Sequence, residues 1–153
     1  NAQKSYFDFI SGDVKSKEES KNILYNYIDK CGQQNQTLIW AIALKENGQI
    51  IGSLNISKLS TRNKCCEIGW GLNLNYQKHR YALEASKAFI NYIFNNLNMN
   101  KIAVSIWDEN ISSIKLAELL GFKLEGRERE CRIKESKIYD VLHYGLLKRE
   151  FNI

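Results

Sequence analysis

The fold is decided by the stretch EIGWGLNLNYQKHRYALEA, residues 67–85. It begins inside a run of β-forming residues, 65–72, that predicts a strand. It ends inside a segment, 81–97, whose apolar residues recur every three or four positions and predict an amphipathic helix. The polar loop between them, 77–82, leads into that helix. Free backbone N–H groups and the positive end of the helix dipole make such a loop a natural site for a phosphate group.

Outward from this stretch, the sequence continues to alternate between strands and helices. Upstream, a capping box that begins at Ser16 starts a predicted helix, and the dipeptide Asn47-Gly48 predicts a tight hairpin turn with both residues at positive φ. Downstream, Gly121 is placed to end a short helix in the left-handed conformation, with Phe122 folded back onto the last turn. The predicted elements are, in order, a helix at 17–30, strands at 38–44, 50–56 and 65–72, a helix at 81–97, a strand at 101–107, a helix at 112–120, and strands at 123–132 and 137–147 with a turn near Glu135.

A strand, a helix and a strand in succession within a mainly antiparallel order predict a mixed α/β, or α+β, sheet with helices packed on it. The length of 153 residues is that of one domain, and its 44% hydrophobic and 25% charged residues are typical of a globular protein. No apolar run approaches the ~18 residues of a membrane span, and the N-terminus lacks the order of a signal peptide. We therefore expect a cytoplasmic protein with no membrane partner.

Charge and cysteine content narrow the classes of function. The formal net charge of +5 favours polyanions as partners, namely nucleic acid, a membrane surface or a phosphate-bearing cofactor. A nucleic-acid-binding module is the weakest of the functions considered, because the chain has no RNP-like, helix-turn-helix or zinc motif and no basic stripe interleaved with aromatic residues. Four cysteines without C-x-x-C spacing and only two histidines predict buried, reduced thiols and no metal site. The cysteines are Cys31, Cys65, Cys66 and Cys131.

Three segments agree in order and spacing with one known pattern. They are 67–85, quoted above, DENISSIKLAELLGF at 108–122, and the stretch at 125–147 that contains EGRERE and IYDVLHYGLL. Together they resemble the GNAT superfamily of acetyltransferases, and the last resembles the branch of ribosomal-protein N-terminal acetyltransferases, the RimJ/RimL type. The resemblance implies a mixed, mainly antiparallel sheet with flanking helices and a V-shaped splay for acetyl-CoA. It also implies direct transfer of an acetyl group to a primary amine, of a protein N-terminus or a small molecule, in a ternary complex.

The start of the chain departs from the family. Members usually begin with a strand and a helix ahead of the helix predicted at 17–30, whereas only residues 1–14 precede it here. We therefore expect the single domain, 1–153, to lack the family's first strand, either through truncation or with one edge of the sheet left uncovered. An uncovered edge strand pairs readily with another chain, which favours a homodimer.

The cofactor loop also departs from the family, whose pattern is Q/R-x-x-G-x-G/A. Arg80 replaces a glycine, and Lys78 stands where glycine is frequent. An arginine costs about 1–2 kcal/mol at a left-handed position and nothing at a helical one, while each charge-assisted contact to a pyrophosphate is worth roughly 1.5–3 kcal/mol. Two interpretations stay open, an active enzyme and a catalytically impaired GNAT-fold binding protein with a degraded cofactor loop. The resemblance implies acetyl-CoA contacts from Trp70, Leu72, Gln77, Lys78, His79, Arg80, Tyr81, Ala82, Asn110, Ser113 and Lys115.

Two residues, Glu67 and Ser113, are the catalytic candidates that the resemblance implies. Glu67 would act as general base on the splayed strand and would need partial burial to become basic enough; the alternative is an ordinary solvent-facing glutamate. Ser113 would protonate the leaving thiolate or only hydrogen-bond to it. Asn110 is also the natural cap of its helix, and Trp70 either walls the acceptor pocket or packs in the core. His143 is interpreted as a packed or surface residue without a catalytic role.

Overall fold

The computed structural model describes residues 37–152. The helix predicted at 17–30 and Cys31 lie outside these residues. Within them every predicted strand and helix is present, with ends that move by a few residues. The elements are β1 Leu38–Ala43, β2 Ile50–Ser60, β3 Cys65–Leu72, α1 Tyr81–Asn95, β4 Lys101–Trp107, α2 Ile111–Leu119, β5 Lys123–Lys134 and β6 Lys137–Leu147, with short 3-10 helices at Leu74–Tyr76 and Lys148–Glu150.

The six described strands form one sheet in the order β1-β2-β3-β4-β6-β5. β3 and β4 run parallel, and all other neighbouring pairs are antiparallel. The prediction of a mixed, mainly antiparallel sheet is confirmed. The parallel pair arises because α1 carries the chain from the end of β3 back to the start of β4, as a crossover between parallel strands requires. β1 is the outermost described strand at its side, and the expected homodimer stays a prediction.

The two faces of the sheet differ in chemistry, because successive side chains of a strand point to opposite sides. One face, here called the helix face, carries the core. α1 packs on it through Phe89, whose ring centroid lies 4.9 Å from that of Trp40, and α2 packs on it beside Trp70. Buried residues of the helix face include Leu54, Ile56, Cys66, Ile68, Ile102, Val104, Tyr144 and Leu146. The strand register aligns on the opposite face, here called the polar face, the residues Ser57, Glu67, Ala103, Ser105 and His143.

One polar residue interrupts the buried stripe of α1. The stripe that the sequence predicts is buried at Phe89, Ile90, Ile93 and Phe94. Ser86 belongs to the same stripe and is fully buried, and its hydroxyl has no hydrogen-bond partner among the described residues. A buried hydroxyl without a partner loses its hydration and gains nothing in return. Ser86 is therefore a weak point in an otherwise apolar helix surface.

The prediction of a two-residue turn at Asn47-Gly48 is wrong. Gly48 has a positive φ of +69°, but Asn47 does not have one. The loop is wider, because the Gly48 N–H donates to the Leu44 carbonyl and the Leu44 N–H donates to the Gln49 carbonyl, each at 2.9 Å. The side-chain oxygen of Asn47 accepts from the Gln49 N–H at 2.9 Å, and such an Asn-to-backbone bond stabilises a longer loop.

Two other turn predictions hold. The β5–β6 turn is the tight one, because Glu135 and Ser136 have φ of +48° and +67° between a directly paired residue on each strand. Gly121 ends α2 with a φ of +88°. The Phe122 N–H donates back to the Ala117 carbonyl at 3.0 Å, and the Phe122 side chain is buried. The predicted helix end is therefore confirmed.

The described cysteines are unbonded, but only one is buried. Cys66 lies in the core of the helix face, where burial first and neighbouring Cys65 second raise the pKa of its thiol to about 11. Cys65 and Cys131 are half-buried, so the prediction of buried thiols is wrong for these two. Cys65 points to the other face because side chains alternate along β3.

Candidate functional site

β3 and β4 separate after three residue pairs, the last of which joins Glu67 to Ala103. β4 stays paired with β6 as far as Trp107, so the divergence lies between β3 and β4. The edge of β3 at 68–72 therefore carries backbone N–H and C=O groups that β4 does not satisfy. An extended ligand can occupy such a gap by pairing as an added strand. The V-shaped splay implied by the resemblance is confirmed.

The loop after β3 is fastened to the sheet. The Asn73 N–H donates to the Ile51 carbonyl at 2.8 Å. The side-chain amide of Gln77 donates to the carbonyl of Leu72 at 3.2 Å. Leu72 buries its own side chain in the core, so toward the splay it offers only its backbone. These bonds hold the path of the chain from the end of β3 to the start of α1.

Lys78 and Arg80 both adopt left-handed backbone conformations, with φ of +66° and +64°. Glycine adopts this conformation at little cost, whereas other residues lose about 1–2 kcal/mol in it. Of the two alternatives considered for Arg80, the left-handed one holds. The backbone thus keeps the shape that the glycines of the family pattern indicate, although the side chains are cationic. Arg80 is the N-cap of α1 and makes no side-chain cap hydrogen bond.

The start of α1 presents hydrogen-bond donors and cations together. Its first helical bond runs from the Glu84 N–H to the Arg80 carbonyl at 3.0 Å, which leaves the N–H groups of residues 81–83 without an intrahelical partner. Lys78, His79 and Arg80 have exposed side chains, and within residues 37–152 none of them forms an ion pair. The loop and the helix start therefore form a cationic cradle, here called the 78–82 cradle.

A diphosphate fits the 78–82 cradle on physical grounds. Backbone N–H groups at a helix start bind anions well, and Tyr81 and Ala82 supply two of them. The ring of Tyr81 leans against that of His79, with 5.8 Å between centroids. The cations, the free donors and the open edge of β3 follow one another along the chain, as a long ligand with a diphosphate at one end requires.

The start of α2 brings three of the predicted site residues together. The side-chain oxygen of Asn110 accepts from the Ser113 N–H at 3.2 Å, so the predicted helix cap is confirmed. The indole N–H of Trp70 donates to the Ser113 hydroxyl oxygen at 3.3 Å. Because that oxygen already accepts one bond, the hydroxyl hydrogen of Ser113 can be donated elsewhere. The amide NH2 of Asn110 is likewise available as a donor.

Trp70 lies on the helix face, on the opposite side of the sheet from Glu67. Its ring meets Phe122 edge-on, with 6.2 Å between centroids, so it packs against the core and orients Ser113 at the same time. Lys115 is exposed one turn into α2. Within residues 37–152 it forms no ion pair and is free to meet an anion.

Glu67 occupies the row at which β3 and β4 part. It points away from its buried neighbours Cys66 and Ile68, as the alternation predicts. One carboxylate oxygen accepts from the Lys58 ammonium at 2.7 Å, and the Glu67 side chain is 22% exposed. The carboxylate is thus half-buried and held by a cation, and its second oxygen is left for another donor.

Sequence reasoning missed a hydrogen-bonded cluster on the polar face. The His143 ring lies between two partners, with Nδ1 3.2 Å from Ser105 Oγ and Nε2 3.3 Å from a carboxylate oxygen of Glu128. Strand alternation could have placed Ser105 and His143 on polar positions. Only the β4–β6 register, which the sequence does not reveal, sets them directly opposite each other.

A second cluster fixes the connection between β4 and α2. Arg127 donates to Asp140 and, at 3.3 Å, to Asp108. The Asp140 carboxylate also accepts from the Glu130 N–H at 2.8 Å. This backbone bond first and the guanidinium second hold the pKa of Asp140 below its ordinary value. Because Asp108 lies two residues before the cap Asn110, the cluster positions the start of α2.

A mixed sheet that splays between two parallel strands, with a helix start that carries free backbone donors beside the opening, is typical of the GNAT fold. The sequence profile described as "Acetyltransferase (GNAT) domain" matches residues 2–123, and the chain belongs to this family.

Relatives with known sequences and structures agree with this membership. N-acetyltransferase p20 of Bacillus licheniformis, named as uncharacterized, is 35% identical over 120 residues, which are 78% of this chain and 66% of that protein. "Putative ribosomal N-acetyltransferase YdaF" of Bacillus subtilis is 28% identical over 105 residues, 69% of this chain and 57% of that protein. The chain thus matches less than two thirds of the length of these relatives. Spermidine N-acetyltransferase of Vibrio cholerae, solved with CoA and spermine, shares the fold with a TM-score of 0.82 at 18% identity, over 96% of this chain and 85% of that one.

No helix among residues 37–152 is long and apolar enough to cross a membrane.

Proposed function

We propose that this chain is an acetyl-CoA-dependent N-acetyltransferase that moves the acetyl group directly to a primary amine in a ternary complex. The observation that carries the proposal is the early parting of β3 and β4 after Glu67. The gap it opens leads from the 78–82 cradle past the start of α2 to the polar face. A thioester bound in this gap would place its reactive carbon between the two faces of the sheet. Of the two candidate catalytic residues, Glu67 lies on the polar face and Ser113 lies on the helix face, bonded to Trp70.

We assign the binding of acetyl-CoA to three parts of the chain. The 78–82 cradle holds the diphosphate through backbone donors and through the side chains of Lys78, His79 and Arg80, because charge-assisted bonds to phosphate are strong. The backbone of 70–72 pairs with the pantetheine arm as an added strand, and the amide of Asn110 donates to it. Lys115 meets a further phosphate. When bound, acetyl-CoA supplies the activated acetyl group.

The chemistry then falls to Glu67 and Ser113. Glu67 stands on the polar face at the apex of the splay, where its carboxylate attracts an ammonium group and accepts a proton from it. Ser113, whose oxygen is held by Trp70, directs its hydroxyl hydrogen to the departing sulfur. Positioning supplies the rest, because holding two reactants in line removes much of the entropic barrier.

The acceptor that we propose first is the N-terminal amine of a protein. The terminal hairpin resembles the ribosomal branch, and YdaF carries a ribosomal name. A polyamine is the alternative, suggested by the shared fold of the spermidine N-acetyltransferase of Vibrio cholerae. Both acceptors are cationic, and the carboxylates of Glu67 and Glu128 suit a cation.

The direct test measures thiol release from acetyl-CoA with three kinds of amine: a peptide with a free N-terminus, spermidine and an aminoglycoside. Activity with the peptide alone supports the ribosomal branch, and activity with spermidine alone supports a polyamine enzyme. Calorimetry with acetyl-CoA runs beside it. Absence of both binding and turnover would overturn the proposal and favour the impaired binding protein.

Glu67→Gln tests the base. Turnover should fall about 10²-fold, because a positioned general base contributes at least that much, while acetyl-CoA affinity should change little. Glu135→Gln, in the exposed β5–β6 turn, makes the same change of charge and should behave as wild type. Undiminished turnover in Glu67→Gln would remove Glu67 from the mechanism.

A further inference from the structure

The cluster of Ser105, His143 and Glu128 has a defined direction of hydrogen bonding. A carboxylate accepts hydrogen bonds and donates none, so at neutral pH the contact between Glu128 and His143 Nε2 requires a hydrogen on Nε2. In the neutral ring Nδ1 then carries a lone pair and accepts. The bond at Nδ1 must therefore be donated by the Ser105 hydroxyl. The lone pairs of Ser105 Oγ are left to accept a hydrogen from a ligand.

The cluster lies where an acceptor amine would sit. Ser105 is two residues past Ala103 on β4, and Ala103 pairs with Glu67 in the last row before the splay. All three side chains point to the polar face. Ser105 therefore lies on the β4 side of the splay, just beyond the last paired row, and Glu67 lies on the β3 side of that row. A nitrogen held at the start of the opening would lie between these two side chains. His143 and Glu128 are 43% and 56% exposed, which connects the far end of the cluster to solvent.

Acetylation of an ammonium group releases two protons from nitrogen, because the group starts with three N–H bonds and the amide keeps one. The leaving thiolate takes up one proton, and one goes to solvent. The Glu67 carboxylate, which is already bonded to Lys58, can accept one of these two protons. The second proton needs another acceptor on the same face.

We propose that Ser105, His143 and Glu128 form a proton relay that removes the second proton from the acceptor nitrogen and delivers it to solvent. Ser105 Oγ accepts the nitrogen-bound proton as it passes its own hydroxyl proton to His143 Nδ1. The imidazolium that forms is stabilised by Glu128 and releases its Nε2 proton to water, which leaves the ring protonated at Nδ1. Proton exchange with solvent at the partly exposed ring then restores the tautomer protonated at Nε2 before the next turnover. No electron is transferred, and Ser105 ends as the neutral hydroxyl it was. The relay rests on the acetyl transfer proposed above.

One test needs no substrate. The chain has two histidines, so nitrogen NMR of the ring resonances is simple to assign with His143→Gln. When its ring is neutral, His143 should be the tautomer protonated at Nε2. Ser105→Ala should change its tautomer populations. A His143 ring protonated at Nδ1 would overturn the relay.

The second test is kinetic and uses the acceptor found for the wild type. Ser105→Ala and His143→Gln should each lower kcat at least ~10-fold with little change in the KM for acetyl-CoA. Ser105→Thr, which keeps the hydroxyl, should retain most of the activity. The double variant should be no slower than either single one, because residues that act as a unit are not additive. Glu130→Gln, exposed on the same strand as Glu128, is the matched control for Glu128→Gln and should leave kcat unchanged.

The outcomes separate the relay from the function on which it rests. If the wild type is active and the Ser105 and His143 variants keep full kcat, or if their losses multiply in the double variant, the relay is wrong and the transferase stands. If the wild type binds no acetyl-CoA and acetylates none of the amines, the proposed function fails, and the relay falls with it.

Discussion

Replacing Arg80 with glycine should stabilise the fold and weaken the binding of acetyl-CoA at the same time. Arg80 has a φ of +64° and a ψ of 5°, and a non-glycine residue loses about 1–2 kcal/mol there. Glycine offsets roughly 0.5–1 kcal/mol of this gain, because it loses more conformational entropy on folding than arginine does. With the middle of each range, the net gain in the free energy of unfolding is about 0.75 kcal/mol, which corresponds to a rise in Tm of roughly 1.5–3 °C for a domain of this size.

The effect on binding has the opposite sign. The Arg80 side chain is exposed, and within residues 37–152 it forms no ion pair, so it is free to meet the diphosphate. Loss of one charge-assisted contact costs roughly 1.5–3 kcal/mol, or roughly a 10- to 150-fold weaker Kd. Calorimetry with acetyl-CoA measures the Kd, and thermal unfolding without ligand measures the Tm.

Two further variants separate charge from backbone strain. Arg80→Lys keeps the charge and the strain and should bind nearly as well as wild type. Lys64→Gly removes a cation at another left-handed position, with a φ of +50°, in the turn between β2 and β3. It should raise Tm similarly and leave the Kd unchanged. If Arg80→Gly binds acetyl-CoA as tightly as wild type or more tightly, the side chain only crowds the loop and the reasoning is refuted.

The remaining predictions concern catalysis, packing and pH. Ser113→Ala should lower kcat ~10-fold or more with little change in the Kd for acetyl-CoA if the hydroxyl serves the leaving sulfur, and equal kcat in steady-state thiol release would contradict that role. Ser86→Ala should raise the free energy of unfolding in urea by about 1 kcal/mol, because it removes a buried hydroxyl without a partner and improves helix propensity; a loss of stability would show that the hydroxyl is satisfied. The pKa of Asp140 is lowered in the folded state, chiefly by the Glu130 N–H and Arg127, so its stabilising contribution is complete above the unfolded pKa and is lost as pH falls through the folded pKa. Wild type should therefore lose stability below roughly pH 4 more steeply than Asp140→Asn, as followed by circular dichroism, and parallel acid transitions would refute this.

Periodicity was enough to place the elements of the described region. The alternation in β3 and the apolar stripe of α1 are strong local signals, and both come from contacts with one continuous core. The ends of the strands were harder to predict, because they depend on pairing with a neighbouring strand. β2 extends to Ser60 because Ser60 pairs with Cys65 at the start of β3, and no residue near Ser60 indicates this pairing.

The site was predictable where local conformation decides it and hidden where register decides it. The loop at Lys78 and Arg80 stands where a glycine pattern is expected, but the sequence could not tell whether the backbone would stay left-handed. The pairing of Ser105 with His143 depends on two strands 38 residues apart, so composition and spacing gave no hint of it. The turn prediction at Asn47-Gly48 was wrong because the Asn47 side chain accepts a hydrogen bond from the Gln49 N–H, and the Asn47 backbone does not adopt a positive φ.

The brief pairing of β3 and β4 also bears on how this protein holds together. It leaves the middle of the sheet joined by a short seam, with two halves that are each well hydrogen-bonded within themselves. A ligand lying in the gap would contact both halves and connect them. At a hundredfold excess over its Kd it would add about 2.7 kcal/mol to the stability of the domain. Under the proposed function, supply of the acetyl donor would thereby raise the stability of the fold as well as the rate of the reaction.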